Sequence, residues 1–322
     1  MQQQRVVVSV SPHIVTSVTV SRLMYMVVLA LIPAAAVSLY FFRLKAALLI
    51  TICVITALLT EALLQKARGK AITVDDGSAL LTGLLLALNL PPSMPLWAAI
   101  LGTVVAIGLG KQIFGGLGYN IFNPALVGRA FLSATFPVLM TTWTRPLAWS
   151  RLPVDATTVA TPLGLMKFEH FRTSYLKLLE GNVSGSLGET SVVALVIGAS
   201  YLLIKGYMDW RTPLSYLGTV ALFGGVFWLI NPHRYPDPLF HLLAGGLMLG
   251  ALFMATDPVT TPITKAGRWV FGLGAGLIVV VIRLWGGLPE GVAYSILFMN
   301  GVTPLINRYT RPRRFGEVRR HA

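Results

Sequence analysis

The sequence predicts an all-α integral membrane protein with about ten transmembrane helices. Its 322 residues are 55% hydrophobic and only 12% charged, whereas a soluble domain usually has about 25% charged residues. Apolar runs also recur along the whole chain, many of them near the ~20 residues with which a helix crosses a bilayer. The single cysteine, Cys53, excludes a disulfide scaffold and a thiolate metal cluster.

Ten apolar runs are candidate membrane helices. The clear candidates are 23–42, 46–64, 96–114, 192–204, 214–230, 269–285 and 292–306. The shorter or interrupted candidates are 79–90, 124–136 and 239–255. The first run follows Arg22 and a polar start without a small-residue cleavage signature, which indicates a retained helix and not a removed signal peptide.

The basic residues indicate topology. The formal net charge is +14, but the basic residues lie between the apolar runs and not along one face, so nucleic acid is not expected as a partner. With a cytoplasmic N-terminus, 16 Lys and Arg lie inside and 9 outside, and Arg129 lies within a span. Five of the outer nine belong to the long connection 137–190, and long connections cross with little regard to charge. Both termini are therefore predicted cytoplasmic, and 137–190 external.

Similar strings recur in the two halves of the chain. LLTG at 80–83 resembles LLAG at 242–245, and KQIFGGL at 111–117 resembles RLWGGL at 283–288. Five crossings per copy would turn the second copy upside down relative to the first. The predicted organisation is a first transmembrane repeat, an external connection and a second transmembrane repeat with a basic tail, at 1–136, 137–190 and 191–322.

Helix breakers follow the short run of each copy. Asn89, Pro91 and Pro92 end the first, and Thr256, Asp257 and Pro258 end the second. Such breaks are typical of a cofactor or ion site, because free backbone groups at membrane depth need protein or a lined cavity around them. Alternatively, proline simply ends each helix at the membrane interface. The pattern leaves both interpretations open.

Acidic residues in or near spans are costly and are therefore candidates for function. Glu61 lies in the last turn of the second span, and Glu290 lies at the expected interface before the tenth. Asp257 is expected either to cap its turn or to take part in binding a cation or flavin. Gln112 after Lys111 excludes a phosphate-binding loop, and the histidines have no metal-ligand spacing.

The external connection contains DATTVATPLG at 155–164, which by composition is only a polar, threonine-rich loop. Longer strings along the chain resemble the D subunit of the Rnf electron-transport complex, which is related to the B subunit of the sodium-pumping NADH:quinone reductase. The resemblance covers essentially the whole chain. Its strings are SPH (11–13), DDGSALLTGLLLALNLPP (75–92), KQIFGGLGYNIFNPALVG (111–128), MLGALFMATDPVT (248–260) and GVAYSILFMNGVTPLINRYTRP (291–312).

The resemblance implies covalent FMN on Thr161. In the family, a flavin transferase joins the FMN phosphate to the last threonine of an Asp-x-x-Ser/Thr-x-Ala-Thr pattern, which here is Asp155, Thr158, Ala160 and Thr161. Val159 departs from the small or polar residue of many relatives, which puts the efficiency of transferase recognition in doubt. The family carries this flavin on the periplasmic side, in agreement with the external connection predicted from the charges.

The resemblance also implies a non-covalent riboflavin within the helical bundle. Its candidate contacts are the interrupted helices and the turn around Asn123, Pro124 and Arg129. Arg129 is attractive because a cation stabilises a reduced, anionic flavin. Alternatively, Arg129 pairs with an acid or extends towards the interface.

By resemblance, the chain is an electron-carrying subunit of a complex that couples ferredoxin:NAD+ oxidoreduction to sodium or proton translocation in a bacterial inner membrane, without a substrate site of its own. The implied partners are the periplasmic FMN-bearing G subunit, the cytoplasmic C subunit and the flavin transferase. A solute channel or secondary transporter is the alternative, because inverted repeats with broken helices also occur in solute carriers. A purely structural anchor is a third. A covalent flavin distinguishes the first from the other two.

Overall fold

A computed structural model describes residues 18–144, 146, 160–169 and 171–312. Within these ranges the chain forms helices and no β-strand, so the predicted all-α class is confirmed. The helices are α1 (Val20–Ala67), α2 (Ser78–Leu88), α3 (Leu96–Ile107), α4 (Pro124–Thr135), α5 (Pro137–Thr141), α6 (Pro162–Glu169), α7 (Tyr175–Glu180), α8 (Val192–Ile204), α9 (Arg211–Ile230), α10 (Pro238–Leu243), α11 (Leu247–Leu249), α12 (Lys265–Trp285) and α13 (Val292–Tyr309). Two π-helices continue α3 and α11, at Gly108–Gln112 and Gly250–Met254.

Helices α1, α9 and α12 are long and apolar enough to cross a membrane, with mean hydropathies of 2.4, 1.6 and 1.7 over an 18-residue window. The ten apolar runs predicted from the sequence all coincide with helical segments of the structure. The first two runs, 23–42 and 46–64, both lie within α1, and the interrupted run 239–255 comprises α10, α11 and the second π-helix.

Helix α1 is divided in two at Arg43. The helix has 48 residues, which at ~1.5 Å per residue gives about 72 Å, more than twice the ~30 Å of a hydrocarbon core. At Arg43 the backbone leaves the helical region, with φ 48° and ψ −125°. The two apolar segments therefore join directly at this residue, without an intervening loop.

Helix α2 is surrounded by protein. Nine of its eleven residues are buried, and the two prolines that follow it, Pro91 and Pro92, are buried as well. A helix that is apolar on all sides belongs in a protein interior. The first helix break thus lies inside the protein, while the second break is more open, with Asp257 half-buried and Pro258 exposed.

The segment 184–191 packs beyond the C-terminal end of α2. All residues of 184–191 are buried. The Leu187 N–H donates to the carbonyl of Leu90 at 3.0 Å, and the Ser38 hydroxyl donates to the carbonyl of Leu187 at 2.8 Å. Irregular backbone at membrane depth is tolerated where protein satisfies its polar groups. Segment 184–191 therefore closes the broken end of α2.

Helix α8 packs directly against α1 at a glycine. A Cβ atom at Gly198 would lie 1.9 Å from the carbonyl oxygen of Ala30. Small residues allow the backbones of membrane helices to approach in this way. The contact joins the first helix after the external connection to the first helix of the chain.

We expect Gly198→Ala to separate α8 from α1 and to lower the melting temperature in detergent, measured by fluorescence-detected size exclusion after heating. Gly218→Ala in α9 is the matched control, because its Cβ would meet no atom within 4 Å. Alanine is the better helix former by about 1 kcal/mol, so the control should melt at the wild-type temperature or above. Equal melting of the two variants would contradict the close approach.

Candidate functional site

Thr161 lies at the start of α6, where the sequence strings place the attachment residue. Its Oγ1 atom accepts a hydrogen bond from the Gly164 N–H at 3.1 Å, and its carbonyl accepts from the Leu165 N–H at 2.8 Å. Thr161 is 9% exposed, and Ala160 before it is exposed. The hydroxyl therefore caps a helix N-terminus, where backbone N–H groups and the helix dipole favour a phosphate group.

Two residues of the sequence pattern, Asp155 and Thr158, lie outside the described residues, as does Val159. Of the predicted attachment pattern, the structure thus describes only Ala160 and Thr161.

Lys167 anchors α6 to the end of α12. Its Nζ donates to the carbonyls of Ile282, Gly286 and Leu288 at 3.1, 2.5 and 2.9 Å. Burial lowers the pKa of the Lys167 ammonium. The three carbonyls oppose this effect, because they satisfy all three donors of the charged form. The helix that begins at Thr161 is thus held against the α12–α13 connection.

A cavity of about 610 Å³ lies beside α6. This volume is within the ~300–1,000 Å³ typical of ligand sites. Its wall combines apolar and aromatic side chains with cations, and includes Leu163, Met166, Lys167 and Phe168 of α6, residues 233–236 of the α9–α10 connection, Phe240, His241, Arg283 and Pro289. A planar aromatic ligand with negative charge suits this combination.

Two buried side chains on this cavity have nitrogen atoms without a partner. His241 is 2% exposed, and neither ring nitrogen has a hydrogen-bond partner within the described chain. Arg283 is 4% exposed and donates from Nη1 and Nη2 to the carbonyls of His241 and Ala244, at 2.5 and 3.0 Å. Its Nε has no partner in the same part of the chain. These three nitrogen atoms have almost no accessible surface, so they lie behind the wall of the cavity.

These features fit the FMN that the sequence strings imply. The phosphate would be held at Thr161 by the N-terminus of α6, and the cavity beside the same helix offers aromatic walls and cations to a ring.

Arg129 lies away from this cavity and is paired with an acid. Its guanidinium donates to Glu290 at 2.7 Å and to the side-chain oxygen of Asn89 at 2.6 Å. Glu290 also accepts from the Gly246 N–H. Of the roles predicted from the sequence for Arg129, the structure shows the ion pair. Through Asn89 and Glu290, Arg129 joins α4 to both interrupted regions. Glu290 is accordingly half-buried in a network, and not simply interfacial.

Asn123 connects the two halves of the chain. Its side-chain oxygen caps α4 at the Ala125 N–H at 3.1 Å, and its side-chain amide donates to the carbonyl of Met254 at 3.3 Å. Its own N–H donates to the side chain of Asn300 at 3.1 Å. Every polar group named here therefore has a protein partner.

Asp257 shares an inner cavity with Asn123. The Asp257 carboxylate accepts from the Thr260 hydroxyl at 3.0 Å and from the Val259 N–H at 3.4 Å, which is the capping role. The inner cavity, also lined by Lys111 and Asn120, has a volume of about 60 Å³. This is below the ~300 Å³ at which ligand cavities begin, so the cavity fits a few waters and not a flavin ring.

Sequence reasoning missed a buried ion pair. Lys111 donates to both carboxylate oxygens of Glu61 at 2.7 Å and to the Ser78 hydroxyl at 2.5 Å, and Gln112 donates to Glu61 at 3.1 Å. Lys111 and Glu61 are each 1% exposed. Both residues lie inside predicted membrane spans, which was the signal for a buried pair. In the count of inside and outside charges, however, Lys111 was taken as a cytoplasmic residue.

Comparison with known proteins identifies the family. The chain matches the NQR2, RnfD, RnfE family over residues 7–316. It belongs to this family. It is 46% identical to the D subunit of a proton-translocating ferredoxin:NAD(+) oxidoreductase complex from Clostridium ljungdahlii, over 97% of this chain and 96% of the relative.

Two further relatives have related names. The chain is 46% identical to the D subunit of a Na(+)-translocating ferredoxin:NAD(+) oxidoreductase complex from Acetobacterium woodii, over 98% of this chain and 97% of the relative. It is 41% identical to the D subunit of an ion-translocating oxidoreductase complex from Stutzerimonas stutzeri, over 92% of each chain. The resemblance to this family's D subunit, stated from the sequence, is confirmed.

We expect Glu61→Gln or Lys111→Met alone to reduce the yield of folded protein sharply, because each leaves an uncompensated buried polar or charged group at a cost of about 3–5 kcal/mol. The double variant Glu61→Leu/Lys111→Met should recover much of the loss. Monodisperse yield and melting temperature measure both effects. Lys66→Met, at an exposed lysine of the same end of α1, is the control. Additive losses in the double variant would contradict the pairing.

Proposed function

We propose that this chain is the D subunit of an ion-translocating ferredoxin:NAD+ oxidoreductase complex and carries electrons through FMN joined to Thr161. The similarity of nearly the whole chain to subunits of that name carries the proposal. The cavity beside α6 supports the flavin part, because it combines ligand-sized volume with aromatic and cationic side chains.

The residues of the chain have distinct tasks at this site. Thr161 contributes the hydroxyl oxygen of the phosphoester, and the N-terminus of α6 stabilises the phosphate charge. Lys167 fixes α6 against the end of α12, so that attachment point and cavity keep their relative position. When bound, FMN supplies reversible electron uptake and release.

Riboflavin is the second cofactor that we propose, on the family resemblance alone. The inner cavity of about 60 Å³ is too small for riboflavin, so we assign no riboflavin contact to Asn123 or Asp257. Arg129 likewise has its charge compensated by Glu290. A purified complex should release one extractable riboflavin in addition to flavin that resists denaturation.

The proposed architecture is ten crossings in two inverted repeats. Lys111, four residues before the first Gly-Gly pair, and Arg283, three residues before the second, are both buried cations. Lys111 binds Ser78 in the first interrupted region, and Arg283 binds the carbonyls of His241 and Ala244 in the second. A buried cation that contacts the interrupted region of its own half supports the repeat.

The proposed location is a bacterial inner membrane, with both termini in the cytoplasm and 137–190 in the periplasm. This orientation brings Thr161 to the side of the periplasmic flavoprotein G subunit and of the flavin transferase. The C subunit would then contact the chain from the cytoplasm. The chain passes electrons between carriers and has no substrate site of its own in this proposal.

We expect Thr161→Ala, co-expressed with the flavin transferase, to abolish flavin fluorescence that survives denaturing electrophoresis. The wild-type chain should have the mass of one added FMN less water. Thr173→Ala, in the same external connection, is the control and should retain the label. Persistent label in Thr161→Ala would refute the attachment site.

Asp257 is proposed to take part in ion coupling, because it is an acidic residue at the inner cavity. We expect Asp257→Asn to weaken the cation dependence of electron transfer in vesicles that contain the whole complex, with flavin content unchanged. Asp75→Asn, an exposed acid at the same end of the bundle, is the control. Unchanged coupling in Asp257→Asn would limit this residue to the turn that it caps.

A further inference from the structure

The carboxyl groups of Glu189 and Glu290 lie close together at Gly246. A Cβ atom at Gly246 would lie 2.6 Å from an oxygen of Glu290 and 3.6 Å from an oxygen of Glu189, so these two oxygens are at most about 6 Å apart. Glu189 belongs to segment 184–191, whereas Glu290 immediately precedes the start of α13. Two distant parts of the chain therefore bring two carboxyl groups to one glycine.

The two carboxyl groups have different partners. Glu290 accepts from the Arg129 guanidinium at 2.7 Å and from the Gly246 N–H. Glu189 accepts from the Ser186 hydroxyl at 2.6 Å, and among the described residues no cation forms an ion pair with it. A cation stabilises a carboxylate charge more than a hydroxyl does, so the environment favours ionisation of Glu290 over that of Glu189.

Glu189 is also covered by the chain. It is 9% exposed, and a Cβ atom at Gly185 would lie 2.6 Å from its second carboxyl oxygen. A charge at this position loses hydration and is repelled by the carboxylate of Glu290. Glu189 lies in the external connection, outside the membrane helices, and burial together with the charge of Glu290 raises the pKa of its carboxyl.

The cations near this pair act mainly on Glu290. Arg129 acts on Glu189 through space, and less strongly than Glu290 does. Arg283 donates to carbonyls, and its charge interacts more strongly with Glu290 than with Glu189. Helices α2 and α11 pack against segment 184–191 and contain no titratable residue, and α1 meets this segment with the neutral hydroxyl of Ser38. These neighbours leave the charge of an ionised Glu189 poorly compensated.

From this geometry we infer that Glu189 is a proton-binding residue, neutral at pH 7 beside an ionised Glu290, which releases one proton to the surrounding water at alkaline pH. The carboxylate that remains is a second anion near Arg129, and it competes with Glu290 for this cation. Arg129 joins α4 to both interrupted regions, so the proton on Glu189 keeps these contacts in place. The inference concerns these side chains alone and does not require a bound flavin.

The proton itself is the first readout. We expect the purified full-length chain at neutral pH to have an infrared C=O absorption of a protonated carboxyl group that shifts in D2O and that Glu189→Gln removes. The absorption should disappear as the pH becomes alkaline. Glu180→Gln, at an exposed acid of the same external connection, is the matched control and should retain the absorption.

The pH dependence of the melting temperature is the second readout. An unfolded glutamic acid ionises near pH ~4.3, whereas the folded chain keeps the proton of Glu189 to higher pH. The folded chain thus binds more protons than the unfolded chain in this window, and this group lowers wild-type stability as the pH rises through it. Glutamine cannot ionise, so the melting temperature of Glu189→Gln relative to the wild type should increase from acidic to alkaline pH. Glu180→Gln should parallel the wild type.

Ser186→Ala tests the same carboxyl group without replacing it. The Ser186 hydroxyl donates to the carboxylate, so its removal should move the disappearance of the Glu189 absorption to higher pH. This variant also provides the test if Glu189→Gln yields no folded protein, because the wild-type carboxyl group is still present.

Three results would overturn the inference. The first is a wild-type chain without a Glu189 absorption at neutral pH, and the second is a melting difference between Glu189→Gln and wild type that does not change with pH. The third is loss of the absorption on addition of Na+ at constant pH, which would assign the carboxyl group to a metal cation. None of these results affects the covalent flavin, and an unlabelled Thr161 would overturn the proposed function without affecting Glu189.

Discussion

A broken helix inside a bilayer needs partners for its freed backbone groups, and these partners must come from the protein. This constraint organises much of the polar interior of the molecule. Leu187 of the buried segment 184–191 donates to the carbonyl of Leu90, and Arg283 donates to the carbonyls that end α10. Each broken helix thus requires another part of the chain to be close to it.

The same requirement joins the two halves of the chain. Asn123 at the start of α4 binds the carbonyl of Met254 at the end of the second π-helix, and Arg129 in the same helix reaches Glu290. These contacts pass between residues far apart in sequence.

Much of the fold could be predicted from composition and periodicity, because a membrane helix is specified mainly by the length and apolarity of its own residues. The ten helical runs and the helix breaks follow from local sequence, whereas the segment around Thr161 was expected only as a polar loop and not as the start of a helix. The division of α1 at Arg43 was expected only as a boundary between runs, and its geometry depends on the packing around it.

The partners of the polar residues could not be predicted in the same way. Arg129 had several possible roles because Glu290 is 161 positions distant, and the Lys111–Glu61 pair spans 50 positions. The cavity beside α6 is lined by residues of α6, α10, α12 and two connections, so no single string of residues encodes it. Contacts over such separations depend on topology, which one sequence without its folded form does not specify.

Lys111 and Arg283 are buried cations with different partners. Lys111 meets the first residue of α2, Ser78, where the positive end of the helix dipole disfavours a cation by an amount on the order of 0.3–1 kcal/mol.

Arg283 meets carbonyls at the end of α10, where the helix dipole favours a cation. Glu61 compensates Lys111 at 2.7 Å, while Arg283 donates to carbonyls and lies within the electrostatic influence of Glu290 and Glu189. The end of the helix that each cation meets thus agrees with the partners that it has.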